Sequence, residues 1–343
     1  MTWMLYGANG YTGQLIADLA VRRGHRPILA GRTEAKIAPL AEDLGLEYRA
    51  FDLTDAEKPL SDVEAVAHCA GPFSATSAPM VAACLKTGTH YIDITGEIDV
   101  FEAIAKQDDA AKQANVVLLP GAGFDVVPTD CVAAMLKEAL PDATHLDLAF
   151  LVGGGASAGT AKTTVESASA GGRVRENGVL KTERIGQRTR IADFPAGPRR
   201  VGSMPWGDVS TAYRSTGIPN ITTFTAFPGA VGQLQAIFAP ILGTPLFQKF
   251  GKSVVERFIG GPDEHKRKNT ICQVFGEAWN AEKRVSIALK GPNAYSLTAD
   301  SVVKAIEKIG DVPPGSHTPS SAFGADYVRE LDGVEVSPVK AGK

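Results

Sequence analysis

Near the start of the chain, Trp3-Met4-Leu5-Tyr6 runs into three glycines spaced three apart, Gly7, Gly10 and Gly13, and then into Leu15-Ile16-Ala17-Asp18-Leu19-Ala20. That order predicts a buried strand, a tight turn and a helix. The glycines give the turn its backbone freedom and, lacking Cβ atoms, let a pyrophosphate approach the amides. Asn9, Tyr11 and Thr12 lie between them and complete the candidate cradle. The first turn of the helix adds unpaired N–H groups backed by the positive end of its dipole. The pattern G-x-x-G-x-x-G is a relative of G-x-G-x-x-G, and its place between strand and helix distinguishes a dinucleotide site from a plain turn.

Beyond this turn, strand and helix signals keep alternating. Arg26 to Arg32 reads as a second strand, Ala35 to Leu44 as a helix stopped by Gly45, and Leu46 to Leu53 as holding a third strand. Asp62 to Phe73 contains a fourth strand, Ala78 to Gly88 a helix, and Thr89 to Glu97 a fifth strand. Val100 to Asn115 reads as one helix and Val116 to Asp125 as a sixth strand entering a glycine-rich turn. Alternation of this kind is the signature of a doubly wound parallel sheet. At the end of the second strand an acid would hold the ribose 2′-hydroxyl of NAD. Gly31-Arg32 stands there instead, and a guanidinium suits a 2′-phosphate, so NADP(H) is the expected cofactor. Asp52, at the end of the third strand, either reaches the adenine edge or caps the next turn. Cys69-Ala70-Gly71-Pro72 is expected along the ribose and nicotinamide side, with Gly123 and Phe124 across from it. His68 is read as a packed core residue.

From about Ala143 the alternation stops. Leu146 to Val152, Val209 to Tyr213, Ile221 to Phe227, Asn269 to Trp279 and Arg284 to Leu289 read as strands. A hairpin is expected to turn at Asn177-Gly178, a helix over Thr160 to Ala170, and an amphipathic helix over Ser296 to Ile309. The fold class is therefore α/β: a doubly wound parallel sheet over residues 1–140, then a second α/β domain with a mixed or antiparallel sheet over 141–296. The tail, 297–343, is expected to pack back on the first domain. A chain of 343 residues is long for one core, in keeping with two domains.

Composition narrows the function classes. A formal net charge of −3 gives no reason to propose nucleic acid as a partner. Cys69, Cys84, Cys131 and Cys272 are scattered without C-x-x-C pairs, which points to reduced thiols and no metal site. The early first strand leaves no room for a signal peptide, and no apolar run is long enough to span a bilayer, so a cytoplasmic protein is expected. The apolar stretch 226–258 has four open readings: core of the second domain, a membrane-surface face, the lining of a greasy substrate pocket, or the contact of a homodimer.

Several segments together resemble the saccharopine dehydrogenase-like oxidoreductases, the group that includes trans-acting enoyl reductases. They are Gly7 to Gly13, Ala30-Gly31-Arg32, Cys69 to Phe73, His90 to Glu97 and Gly121 to Asp130, with later echoes at Gly153 to Thr160, Gly291 to Thr298 and Thr318 to Tyr327. The resemblance implies a Rossmann domain, an inserted α/β domain and NADPH. It leaves the substrate open, since shared fold is a poor warrant for shared chemistry.

The residues limit the chemistry further. None of the seven tyrosines has a lysine four positions on, so the acid–base pair of a short-chain dehydrogenase is missing. Hydride transfer remains, with the protein supplying position and electrostatics. Reduction of an activated C=C or C=N bond in a small or lipid-like acyl substrate needs a proton donor and a polarising group. Tyr91, Asp93, Glu97 and Asp125 are the candidates in the first domain and Lys162 and Arg214 in the second, each of which could instead be a cap or surface partner. A saccharopine-type reaction would need cations for substrate carboxylates, and Arg173, Arg188, Arg190, Arg199, Arg200 and Arg214 are available. A non-catalytic NADP-binding protein at a lipid surface is the third reading.

Overall fold

The computed structural model describes residues 1–153, 171–226 and 264–342. They form two compact units, one of Met1–Val127 with Tyr295–Phe323, the other of Pro128–Ala294 with the residues from Gly324 on.

The first unit is built on strands β1 (Trp3–Tyr6), β2 (Ile28–Gly31), β3 (Tyr48–Ala50), β4 (Ala65–His68), β5 (His90–Asp93) and β6 (Val117–Leu119). With the short Gly315–Ser316 strand beside β6, the sheet order is Gly315–Ser316, β6, β5, β4, β1, β2, β3, and every pairing is parallel. Helices on both faces explain why β1, β2, β4 and β6 are buried throughout and not alternating, whereas the edge strand β3 is largely exposed. Trp3 and Leu5 point into a core shared with Ile16, Ala20, Val302 and Ile306, whereas Met4 and Tyr6 join Leu60, Met80, Val100 and Ile104 on the other face. The order reverses between β1 and β4, and ligands of such sheets sit outside the carboxyl ends of the strands at that point.

Helices α1 (Tyr11–Arg22), α2 (Glu34–Leu44), α3 (Glu57–Leu60) and α4 (Phe73–Thr87) connect the first five strands. Local chemistry sets their ends. Helix α2 stops at Gly45 and α4 at Gly88, both in the left-handed conformation that a Cβ disfavours. The single helix expected over 100–115 is two, Ile98–Ala105 and Asp108–Ala114, because Asp108 and Asp109 favour a fresh N-terminus there.

In the second unit, ten strands among the described residues form a mixed sheet. His145–Val152 pairs in parallel with Asn220–Thr225 and antiparallel with Cys272–Trp279, which in turn pairs with Arg284–Gly291. The hairpin of Gly172–Glu176 and Val179–Glu183 turns at Asn177 and Gly178, both at positive φ. Val209–Tyr213 is not a strand: Asp208–Thr216 is a helix. Its β-branched residues are overridden by an acid in the first turn, Arg214 in the last, and Gly217 as a left-handed stop. The tail is shared between the units. Residues to Phe323 belong to the first, whereas Glu335–Val336 and Lys340–Gly342 pair with Arg284–Gly291 in the second, because that strand presents a free edge. The helix expected over Thr160 to Ala170 and the apolar stretch from Phe227 to Phe258 lie outside the described residues.

Candidate dinucleotide site

The turn after β1 is built as its glycines require. Gly7 sits at φ +87°, and a Cβ there would lie 2.8 Å from the Ala70 nitrogen, so the turns after β1 and β4 meet backbone to backbone. A Cβ on Gly13 would fall 2.4 Å from the Gly7 carbonyl oxygen, so helix α1 can press against the turn only with glycine there. Gly10 is different: a Cβ there meets only the Gly7 oxygen, at 3.2 Å, and otherwise open space. Gly10 is also the N-cap residue of α1, makes no side-chain cap bond, and precedes a first turn without acids. An open approach to a helix N-terminus with no resident carboxylate is what a pyrophosphate needs. The residues present therefore fit a dinucleotide. Asn9 is held by Gln14, whose Nε2 donates to the Asn9 carbonyl at 2.9 Å.

At the ends of β2 and β3, Arg32 and Asp52 are both exposed. They flank the Tyr6 hydroxyl, which donates to the Phe51 carbonyl at 3.2 Å. Burial and then Asp52 push that hydroxyl up to about 12, with Arg32 pulling the other way. Asp52 accepts from the Thr54 amide at 3.3 Å, the turn-capping arrangement. Gly31 is buried, a Cβ on it colliding with Ile37 at 2.8 Å.

The other candidates take distinct places on the carboxyl edge of the same sheet. Tyr91 and Asp93 are fully buried at the end of β5. The Tyr91 hydroxyl donates to Asp93 Oδ2 at 2.6 Å, and Asp93 Oδ1 accepts from Thr95 N at 2.9 Å and Gly121 N at 2.8 Å. Asp93 thus ties the turn after β5 to the turn after β6. Burial pushes its carboxyl up to about 6 against the pull of these bonds. Glu97 accepts from Phe73 N at 2.9 Å and Ser74 N at 2.7 Å, so its carboxylate caps α4 at the positive end of its dipole. It fixes the Cys69–Pro72 loop from below. Above, Thr76 Oγ1 donates to the Ala70 carbonyl at 2.8 Å and meets His68 Nε2 at 3.0 Å. His68 is fully buried, and desolvation pulls its pKa down to about 3, so it is a neutral core residue. The Cys69 thiol is pushed up by burial and by the Asp93 charge, which leaves it unreactive.

Asp125 is the remaining acid of the first unit's candidates. It is partly accessible, in the turn after β6, and burial pushes its carboxyl up to about 7. Gly96 makes room for it, since a Cβ on Gly96 would lie 3.0 Å from Asp125 Oδ2. Arg214 lies in the last turn of Asp208–Thr216 in the second unit, and Lys162 lies outside the described residues.

Of the arginines considered as carboxylate grips, Arg188 is paired with Glu176 and Glu183, and Arg190 with Asp147 and Glu277. Tyr295 and Thr298, which the sequence marks only as part of the Gly291 to Thr298 resemblance and without a role, pack against two of the turns of this site. Tyr295 meets Tyr11 edge-on with centroids 4.9 Å apart, and Thr298 Oγ1 accepts from Phe124 N at 3.0 Å. For Thr298 the signal is the small residue opposite it, Gly123, whose Cβ would meet Thr298 at 3.0 Å.

Residues 3–119 match the family described as the saccharopine dehydrogenase NADP binding domain. Among curated relatives, a trans-acting enoyl reductase of Mycobacterium leprae is 36% identical over 157 residues, 41% of this chain and 37% of that protein. A trans-acting enoyl reductase of Mycobacterium tuberculosis is 32% identical over 154 residues, 41% of this chain and 37% of that protein. The chain thus spans little more than a third of the length of the curated relatives it matches. Among solved structures, apo saccharopine dehydrogenase (L-Glu forming) from Saccharomyces cerevisiae superposes with a TM-score of 0.68 at 12% identity, covering 100% of both chains. At that identity the likeness is one of fold.

Proposed function

We propose, from the match of residues 3–119 to the saccharopine dehydrogenase NADP binding domain family, that this chain is an NADPH-dependent oxidoreductase. The observation that carries the reading is the Gly7-Gly10-Gly13 turn, open at Gly10, with Arg32 and no acid at the end of β2. NADPH, when bound, supplies a hydride. The chain's own residues do the rest. The amides after Gly10 would hold the pyrophosphate and Arg32 the 2′-phosphate. Glu97 and Thr76 fix the Cys69–Pro72 loop, which would line the nicotinamide side, and Asp93 fixes the two turns that carry Gly96 and Asp125. Asp125, which keeps its proton to about pH 7, is the proton donor we assign, giving that proton to the substrate atom next to the one that accepts the hydride.

For the acceptor we favour an activated C=C bond of an acyl substrate over a C=N bond. Two of the arginines that a dicarboxylic amino acid would need are already spent on internal carboxylates, and the named relatives are enoyl reductases. The cytoplasmic placement rests on the four free cysteines. NADPH consumption is to be measured with α,β-unsaturated acyl thioesters and with saccharopine. Turnover of the acyl substrates alone is expected, and turnover of saccharopine alone would remove the enoyl assignment.

Cofactor choice has its own test. Arg32→Ala is expected to weaken NADPH binding by about ten- to thirtyfold, the worth of one or two charge-assisted hydrogen bonds, and to leave NADH within about twofold. Calorimetric titration with both nucleotides decides this. Equal weakening of the two would show that Arg32 does not read the 2′-phosphate.

A further inference from the structure

Three residues apart in the first turns of the helix Ala294–Lys308, Tyr295 and Thr298 share one helix face and reach two different turns of the first unit. Tyr295 packs edge-on against Tyr11 at an interplanar angle of 84°, and Tyr11 is the residue next to the open Gly10. Thr298 is buried. Its hydroxyl accepts the Phe124 amide at 3.0 Å, and its methyl occupies the space that a Cβ on Gly123 would need, at 3.0 Å. The helix itself is firmly held: Val302, Val303 and Ile306 lie in the core beneath β1, and Asp300 pairs with Arg23 at the end of α1 at 2.6 Å and with Lys304 at 3.1 Å. One rigid element therefore braces both the turn that faces the phosphates and the turn that carries Asp125.

We propose that Tyr295 and Thr298 are positioning residues of the dinucleotide site, Tyr295 acting through Tyr11 and Thr298 through the Gly123-Phe124 amide. The inference rests on the NADP(H) assignment above. Without the Thr298 hydroxyl, the buried Phe124 N–H loses its acceptor and the turn is free to leave its binding conformation. The bound nucleotide must then order that turn itself, and affinity falls. Because this turn comes after β6, away from Arg32 at the end of β2, the loss is shared by NADPH and NADH.

The test is fluorescence titration of the full chain with NADPH and NADH, with the melting temperature of each nucleotide-free variant recorded alongside. Thr298→Val keeps the shape and removes the acceptor, and is expected to raise both Kd values by about tenfold, leaving their ratio unchanged. Thr298→Ser restores the acceptor and is expected to bind within about twofold of wild type even though it loses the methyl. Tyr295→Phe keeps the ring and is expected to bind normally, whereas Tyr295→Ala raises Kd by about fivefold, of the order of one aromatic contact. Wild-type affinity in both Thr298→Val and Tyr295→Ala overturns the inference. Equal losses in Thr298→Val and Thr298→Ser also overturn it, since they assign the effect to packing and not to the hydroxyl. Failure of the wild-type chain to bind either nucleotide would remove the cofactor assignment together with this inference, whereas normal wild-type binding with unaffected variants removes the inference alone.

Discussion

Asp125→Asn is expected to lower kcat for the reduction by at least about a hundredfold while leaving NADPH affinity within a factor of about two, because the amide fills the same space but has no acidic proton to give. The prediction rests on where the carboxyl sits. It is partly accessible at the carboxyl edge of the parallel sheet, room is made for it by Gly96, and burial holds it protonated to about pH 7 against an ordinary value of 3.8. A group that works as an acid is active only in its protonated form, so kcat/KM of the wild type should fall as the pH rises through about 7. The same shift has a stability consequence of fixed sign. Between about pH 4 and 7 the folded chain holds a proton that the unfolded chain releases, so stability falls as pH rises across that window. A rise from 3.8 to about 7 corresponds to at most about 4 kcal/mol, and the partial accessibility of Asp125 reduces this. Asparagine stays neutral throughout. The variant should therefore melt higher than wild type at pH 8 and alike at pH 4. Asp93 and Asp147, each pushed up to about 6, add a fall of the same sign to both proteins and cancel in the comparison. Unchanged turnover in the variant, or a flat pH profile in the wild type, would exclude Asp125 as the donor.

Gly13→Ala should abolish useful nucleotide binding, weakening NADPH by about a hundredfold or more and costing about 1–3 kcal/mol of stability as an overpacked site. The added methyl would lie 2.4 Å from the Gly7 oxygen, 2.9 Å from the Ala8 Cα and 3.0 Å from the Ala8 oxygen. All three are backbone atoms of the turn, so no side chain can swing aside. Helix α1 would have to lift away, taking its N-terminus from the pyrophosphate. Gly10→Ala is the informative partner, because its methyl meets only the Gly7 oxygen, at 3.2 Å. It should keep the fold and melting temperature and still weaken binding, since the methyl stands where a phosphate must approach. Urea denaturation together with nucleotide titration separates the two effects. Nucleotide affinity within threefold of wild type in Gly13→Ala would show that the helix does not need its close seat on the turn.

The parallel sheet was legible in the chain because its signals are local. β1, β2 and β6 are short apolar runs, helices such as α2 and α4 end on a glycine free to go left-handed, and the Gly7-Gly10-Gly13 spacing carries the turn between β1 and α1. The failures were local signals beaten by context. Val209 to Tyr213 has strand-forming side chains, yet charges at its two ends and the stop at Gly217 make it a helix. The helix over 100–115 broke where two aspartates offered a second N-terminus. Glu97 and Asp93 could be named as acids from their place at and after the end of β5, but their hydrogen bonds to Phe73, Ser74, Thr95 and Gly121 depend on strands and turns meeting across the sheet.

The order of residues by itself determined the glycine turn between β1 and α1, the guanidinium at the end of β2 and the alternation that forces a doubly wound sheet, since each depends on neighbours within a few positions. Tertiary structure alone decided that Asp93 accepts from the amide of Gly121 and Glu97 from those of Phe73 and Ser74, and that burial raises the Asp125 carboxyl, because these partners and this burial come from distant segments. It also brought Tyr295 and Thr298 to turns whose residues lie far away in the chain. Spacing specifies a turn, but only packing decides what braces it.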